Sequence, residues 1–312
     1  MKVAVVGAGV MGCAAAWALR ERGADVTVYE QFELDNARGS SHGRSRIFRI
    51  AYHDPFWIRF AQEAFAGWND LDPSLLALYG LVELAPDRAL TSAAGLDACD
   101  VEYRFLTEVD GVAVPDGWTA LHVADAGIVF ADRARHAFLD GIDVRANMHI
   151  EALDEVDADV VVVAAGAWIG RLVPGLDLRV TRETVAYFRH DGPPLPSVVD
   201  IGVDGGHDMY ALHDPVYGLK AGAHHAGAEA NPDDVGMPDE AIVARIAAWV
   251  GERFPGVDPD PVETDTCVYT TTPDQTFILD RRGRVVVGSA CSGHGFKFAP
   301  AVGRRLAALA LQ

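Results

Sequence analysis

"MKVAVVGAGVMGCAAAWALRERGADVTVYE", residues 1–30, decides the fold. Its first residues, KVAVVG, form a continuous apolar run of strand length that ends at a glycine, the pattern of a parallel strand buried on both faces. VMGCAAAWALRER follows, small and apolar enough to lie as a helix against a sheet, and Gly23 stands where a helix takes its C-terminal glycine. DVTVYE is a second strand, which completes one βαβ unit. Gly7, Gly9 and Gly12 fall in G-x-G-x-x-G spacing. The first makes the tight turn, the second admits a pyrophosphate against the backbone, and the third lets helix and strand pack closely. The helix N-terminus offers free N–H groups and a positive dipole end. Glu30 closes the second strand, where a carboxylate accepts from ribose hydroxyls. The unit reads as a dinucleotide site; the alternative is the same turn without a ligand. Glu30 argues against a 2′-phosphate and does not separate FAD from NAD. The early lysine, apolar run and VMGC also look like a secretory leader, but the strand, turn and helix account for the same residues.

Composition narrows the classes. A chain of 312 residues is long for one core and implies two domains. With 26 basic against 45 acidic residues, and a net charge of −19, it repels nucleic acid and anionic membrane, so neither is an expected partner. The apolar run from Val160 to Ala165 is too short to span a bilayer. Cys13, Cys99, Cys267 and Cys291 are scattered without a C-x-x-C pair, which speaks against a metal knuckle or a disulfide framework and for a reducing, cytoplasmic setting. His207, His213, His224 and His225, with Asp208 and Asp214, follow no ligand spacing, and no metal is expected.

Further buried-strand patterns occur at 157–168 (DADVVVVAAGAW) and 283–290 (GRVVVGSA), the latter leading through a glycine loop into a C-terminal helix. Between them, VAYFRH, DMYAL and YGLKAGAH alternate as strands, HDGPPLPS and EANPDDVGMPDE are loops by composition, and 239–254 is an amphipathic helix. The fold expected is α/β, a Rossmann-type FAD-binding domain interleaved with a mostly antiparallel-sheet substrate domain (α+β). Residues 1–72, 127–180 and 263–312 are assigned to the first, and 73–126 and 181–262 to the second.

One stretch runs against the charge of the chain: GSSHGRSRIFRIAY, 39–52, gathers His42, Arg44, Arg46 and Arg49. Taken alone it is a solvated basic loop. Together with the glycine motif, VAAGAW, YGLKAGAH, TCVYTTTPDQTFILD and SGHGFKF, in that order, it resembles the amine-oxidising flavoproteins typified by monomeric sarcosine oxidase and N-methyltryptophan oxidase, nearly end to end.

The resemblance implies FAD held covalently through Cys267, which from the residues alone is a buried structural cysteine. It implies Arg49 and Lys297 as the pair that holds a substrate carboxylate, a bidentate fork beside a point charge. His42 and Arg46 are implied beside the flavin, and Lys220 is implied at its N5 edge, where a cation lowers the barrier to reaction with O2. His224, Tyr210 and Tyr269 are implied to line the substrate pocket, although Tyr210 stands one residue closer to Lys220 than the family pattern. Gly7, Gly9, Met11, Gly12, Glu30, Ser40, Ile150, Gly166, Trp168, Gly293, Gly295, Phe296 and Lys297 are implied in cofactor binding. Arg44 is read as surface.

The activity so implied is oxidation of a secondary or primary amine that carries a carboxylate, with hydride transfer to flavin N5, an imine product, and H2O2 from O2, by a monomer. Two other readings stand beside it: a dehydrogenase that uses another acceptor, and a non-catalytic, trimmed flavin-binding protein. The chain departs from the family in having too few residues between Ile150 and Val160 for a β-hairpin, a trimmed helix before Gly141, no extended C-terminal tail, and Cys291 in place of an aromatic. Substrate side-chain selection is expected from loops around 52–57, 86–100 and 204–217.

Overall fold

Gly7 turns the chain at φ +102°, and a Cβ there would come within 2.5 Å of the Ala164 carbonyl oxygen. That contact joins the two ends of the sequence motif to the middle of the chain. The structure, a computed structural model, describes residues 1–204, 207–289 and 291–312. The strand Lys2–Val6 lies between Asp25–Tyr29 and Val160–Val163, parallel to both. Val285–Ser289 continues the parallel order beyond Val160–Val163, Asp143–Arg145 extends the other edge, and Ile278–Arg282 closes the sheet as an antiparallel strand. Chain direction across the sheet reverses between Lys2–Val6 and Val160–Val163, the switch point at which such sheets open a crevice for a ligand.

The helix Val10–Arg20 is almost wholly buried. Its small residues let the helix Ala299–Ala310 approach so closely that a Cβ on Gly303 would stand 2.3 Å from the Ala14 carbonyl oxygen. Pro55–Leu71 packs on the same C-terminal helix through Gly67, opposite Pro300.

The second layer is a nine-stranded sheet. Arg179–Arg189, Gly218–Ala223, His207–Asp214 and Ser197–Asp204 run antiparallel; Leu81–Ala85 then joins parallel to Ser197–Asp204 and is followed by Thr119–Val123 and Arg104–Leu106. Glu263–Thr271, counted above with 263–312, pairs with Arg179–Arg189 in this sheet. A three-stranded sheet of Ser45–Phe48, Gly127–Phe130 and Leu76–Ala77 packs against the strand His207–Asp214 of the large sheet.

Strand periodicity splits the large sheet into two chemistries. Leu219, Ala221 and Ala223, with Met209, Ala211, Val198, Ala186 and Phe188, face outward and bury against the amphipathic helix Glu240–Arg253 through Ile242, Ile246, Trp249 and Val250. That helix starts where Asp239 accepts from the N–H groups of Ala241 and Ile242. The residues in alternate register, among them Val199, Tyr210, Leu212, Lys220, His224, Cys267 and Tyr269, turn to the inner face. Among the described residues, no helix is long and apolar enough to cross a membrane.

Between Ile150 and Val160 the chain makes a single 3-10 turn, Leu153–Glu155, and the helix before Gly141 spans Ala131–Leu139. Arg44 corrects the sequence reading. It is three-quarters buried, its Nε lies 2.9 Å from the buried Asp214 and its guanidinium 3.4 Å from Glu263, and it stacks over Tyr187 and Tyr217. A local pattern cannot show this, because both acids arrive from strands more than 150 residues along the chain.

Replacing Gly303 by leucine should overpack the interface of the two helices and cost about 1 to 3 kcal/mol. A thermal melt several degrees below wild type is expected; an unchanged melt would contradict the backbone contact with Ala14.

Candidate active site

A cavity of about 460 Å³ runs from the glycine turn to the inner face of the large sheet. At one end Gly9 presents bare backbone, with only Ser41 Oγ near the position of a Cβ, at 3.3 Å. Gly12 is the closest contact of the motif: a Cβ there would lie 1.9 Å from the Gly7 carbonyl oxygen. Glu30 is buried and accepts from the N–H groups of Ala8 and Phe32, at 2.8 and 3.0 Å. Ser41 Oγ accepts from Val10 N–H at the mouth of the helix. Met11, Ile150, Gly166 and Trp168 line the same end. Trp168 Nε1 donates to Asp233, which also pairs with Arg171.

Moving inward, the 39–52 segment folds back on itself. Arg46 donates to the carbonyls of Ser40 and His42, at 2.8 and 2.5 Å, and lies over the Phe296 ring. Ser40 donates to the Val268 carbonyl. His42 Nδ1 is 3.3 Å from Asp265, while its Nε2 is buried without a hydrogen-bond partner. Cys267 lines the cavity beside these groups. Burial pushes its thiol up to about 11, against the pull of Arg46 and Lys220.

The chain has only three lysines, and two of them, Lys220 and Lys297, are buried here. Burial, and then the charge of Arg46, press Lys220 down to about 7. Its Nζ lies 5.4 Å from the centre of the Tyr187 ring. Lys297 is held well below the ordinary lysine value by burial and by Arg49; it donates to Tyr52 Oη at 3.0 Å and to the His294 carbonyl at 2.7 Å. Arg49 lies 4.4 Å from the Tyr52 ring centre and 3.8 Å from Glu83.

His224 is neutral, kept well below its ordinary value by burial and by His225, with its Nδ1 3.4 Å from Tyr269 Oη. Tyr210 sits opposite Gly222 in the sheet with its hydroxyl over that glycine, so the short spacing to Lys220 does not keep it from the cavity. Burial raises both Tyr210 and Tyr269, which therefore stay protonated. Gly293 takes φ +75°, and a Cβ there would strike Tyr269 and His224. Gly293, Gly295, Phe296 and Lys297 all line the cavity.

One cavity thus gathers every cofactor and substrate residue expected from the sequence except Gly12, which packs against the Gly7 turn behind it. The residues fit FAD: a side-chain-free phosphate turn, a buried acid for the ribose, an unpartnered His42 Nε2, and a thiol beside two cations. Residues 2–309 match the family described as FAD dependent oxidoreductase. The chain belongs to that family. Human peroxisomal sarcosine oxidase is 30% identical over an alignment 359 positions long that covers 99% of this chain and 91% of that protein. Monomeric sarcosine oxidase from Bacillus sp. (strain NS-129) is 28% identical, with 99% and 92% covered. The solved open form of NikD, described as an unusual amino acid oxidase essential for nikkomycin biosynthesis, shares the fold at a TM-score of 0.86 and 24% identity, covering 99% of this chain and 93% of that one. The sarcosine oxidase resemblance read from the motifs is therefore borne out, and the protein is an FAD-dependent oxidoreductase.

Sequence reading missed Glu83, Asp265 and Ser41 in this flavoprotein; Glu83 and Asp265 stand in no quoted motif, and Ser41 stands inside the 39–52 stretch beside the expected Ser40 and His42. The scarcity of lysine was a usable signal that went unread. Of the loops expected to select side chains, Gly205 and Gly206 lie outside the described residues. No group of three or more His, Cys, Asp or Glu side chains among the described residues is placed to hold a metal ion.

The three lysines make a titration readable. After reductive ¹³C-methylation of the cofactor-free chain, which labels the three lysines and the Met1 amine, the resonance that vanishes in Lys220→Met should titrate near 7, while exposed Lys2, beside Asp157, titrates above the ordinary lysine value. Three midpoints near the ordinary lysine value would refute the burial of Lys220.

Proposed function

We propose that the protein is an FAD-dependent oxidase of an N-methyl or other secondary amino acid, with primary amines as lesser substrates. The observation that supports it most is the placement of Cys267, Lys220, Arg49 and Lys297 around one cavity continuous with the dinucleotide turn. In this reading Cys267 Sγ carries the flavin, and Glu30 and the glycine turn hold its adenosine and pyrophosphate. FAD held there would supply a two-electron acceptor for oxidation of the carbon next to the substrate nitrogen, with O2 as the final acceptor, so that the amine would become an imine and O2 would become H2O2.

The chain's own residues do the rest. Arg49 and Lys297 receive the α-carboxylate and set the distance of the reacting carbon. Lys297 gains an anionic partner in doing so, which offsets the burial that now depresses it. The surrounding cations and the desolvated walls favour the neutral amine over the ammonium, so no strong base is needed. Neutral His224, with Tyr210 and Tyr269, walls off the amine from water. Lys220 and Arg46 set positive charge beside the ring, where negative charge develops on reduction and again on reaction with O2. Lys220 favours an oxidase over a dehydrogenase. Four free cysteines support a reducing compartment, which we take to be the cytoplasm, and we take the protein to act as a monomer.

Acid precipitation tests the cofactor link. Yellow colour should stay in the wild-type pellet and move to the supernatant in Cys267→Ser; release from wild type would rule out the thioether. Peroxide tests the acceptor. An N-methyl amino acid should yield H2O2, and Lys220→Met should slow the reaction of the reduced enzyme with O2 by roughly 100-fold or more while leaving substrate reduction of the flavin within a few-fold. Rapid flavin reduction by the amine with no peroxide from wild type would favour the dehydrogenase reading instead.

A further inference from the structure

Glu83 plays no part in the reaction as described, yet it is one of the most deeply buried charges of the chain, at 1% exposure. It lies mid-strand in the large sheet, between Val199 and Leu121. A carboxylate there must be answered. Ser92 answers it twice: its N–H and its hydroxyl each donate at 2.8 Å, one to each carboxylate oxygen. The third partner is Arg49, 3.8 Å from Oε1.

A second contact couples this arrangement to the site. Ser92 leads into the short helix Ala93–Asp97, which packs on the chain segment just after Arg49. A Cβ on Gly95 would come within 2.4 Å of the Tyr52 carbonyl oxygen and 2.5 Å of that of His53. Tyr52 in turn carries the Arg49 guanidinium over its ring and accepts from Lys297. Carboxylate, guanidinium, phenol and ammonium therefore form one continuous series.

We propose that Glu83 is a positioning residue. Fixed by Ser92, it holds Arg49 in register with Lys297 so that the two cations meet one substrate carboxylate. This rests on the reading of Arg49 as the carboxylate anchor. Glu83 does not line the cavity, so it acts through Arg49. A countercharge could also compete with the substrate, and the distance decides between the two effects. At 3.8 Å Glu83 balances the charge of Arg49 without hydrogen-bonding to it, which leaves the guanidinium N–H donors for the ligand. An unpinned arginine has many rotamers and loses the fork geometry that makes it selective for carboxylates.

The test uses the FAD-loaded protein and two probes of similar size, propionate and propionamide, with binding read from the flavin absorbance. Glu83→Gln is isosteric and can keep both bonds to Ser92. It should weaken propionate about tenfold and leave propionamide unchanged. In turnover, KM for an N-methyl amino acid should rise by a similar factor with kcat within about twofold. Equal weakening of both probes, no change, or tighter propionate would overturn the proposal. Should Glu83→Gln fail to fold, Ser92→Ala carries the test, with propionate weakened about threefold, propionamide unchanged, and the same overturning results. Arg49→Gln separates the two claims. If it abolishes the preference for propionate while Glu83→Gln does not reduce it, Glu83 alone is misread; if the preference survives Arg49→Gln, the anchor reading falls and this proposal with it.

Discussion

Lys220, Lys297, Arg46 and Arg49 are held away from bulk water around one cavity, and a buried cation persists only where something answers its charge. The chain answers them unequally. Arg46 donates to carbonyls of its own loop, whereas Arg49 has Glu83 as a countercharge and lies over the Tyr52 ring. Lys297 has two neutral acceptors, and Lys220 lies over the Tyr187 ring. The two lysines are the groups pressed furthest toward neutrality. On the proposed reading they would face an anionic carboxylate and an anionic reduced ring, so that the ligands would complete an electrostatic balance that the protein alone leaves open.

That balance depends on the large sheet being two-sided. A strand register with Leu219, Ala221 and Ala223 outward necessarily turns Lys220 and Gly222 inward. The same alternation sends Tyr210 inward against Met209 and Ala211. A one-residue slip would bury Lys220 under the helix Glu240–Arg253 and turn Leu219 and Ala221 into the site. Packing of that helix therefore fixes which side chains the opposite face presents, and Lys220 is placed in the cavity by its apolar neighbours.

The dinucleotide half was legible because its signals are local. Strand, glycine spacing, helix and terminal acid lie within Met1 to Glu30, and each residue's role follows from its place in that order. The inner face of the large sheet was legible only through resemblance. Cys267, taken alone, reads as a structural thiol, and nothing within a few residues of it says that it faces the cavity. The countercharges were not legible at all. Glu83, Asp214 and Asp265 are three among 45 acidic residues, and each meets its partner across the fold rather than along the chain. Arg44 was misread for the same reason: its partners come from strands more than 150 residues away.

The shortness of the chain bears on this in a definite way. Its 312 residues spread over 359 aligned positions of the human relative, so many positions of that alignment have no counterpart here. Yet the glycine turn, the cation segment, the inner face of the large sheet and the loop around Gly293 all converge on one cavity. The connection from Ile150 to Val160 shows how little such a link needs. One 3-10 turn carries the chain back to the parallel sheet, and Ile150 still lines the cavity. What must be kept is the set of contacts that orient the inner face, including the buried ones behind it. Ser92, Glu83 and Gly95 belong to that set because they act on Arg49 and Tyr52 without touching a ligand. Residues of this kind have no chemistry of their own to mark them, and only their burial and the charges they answer show where they count.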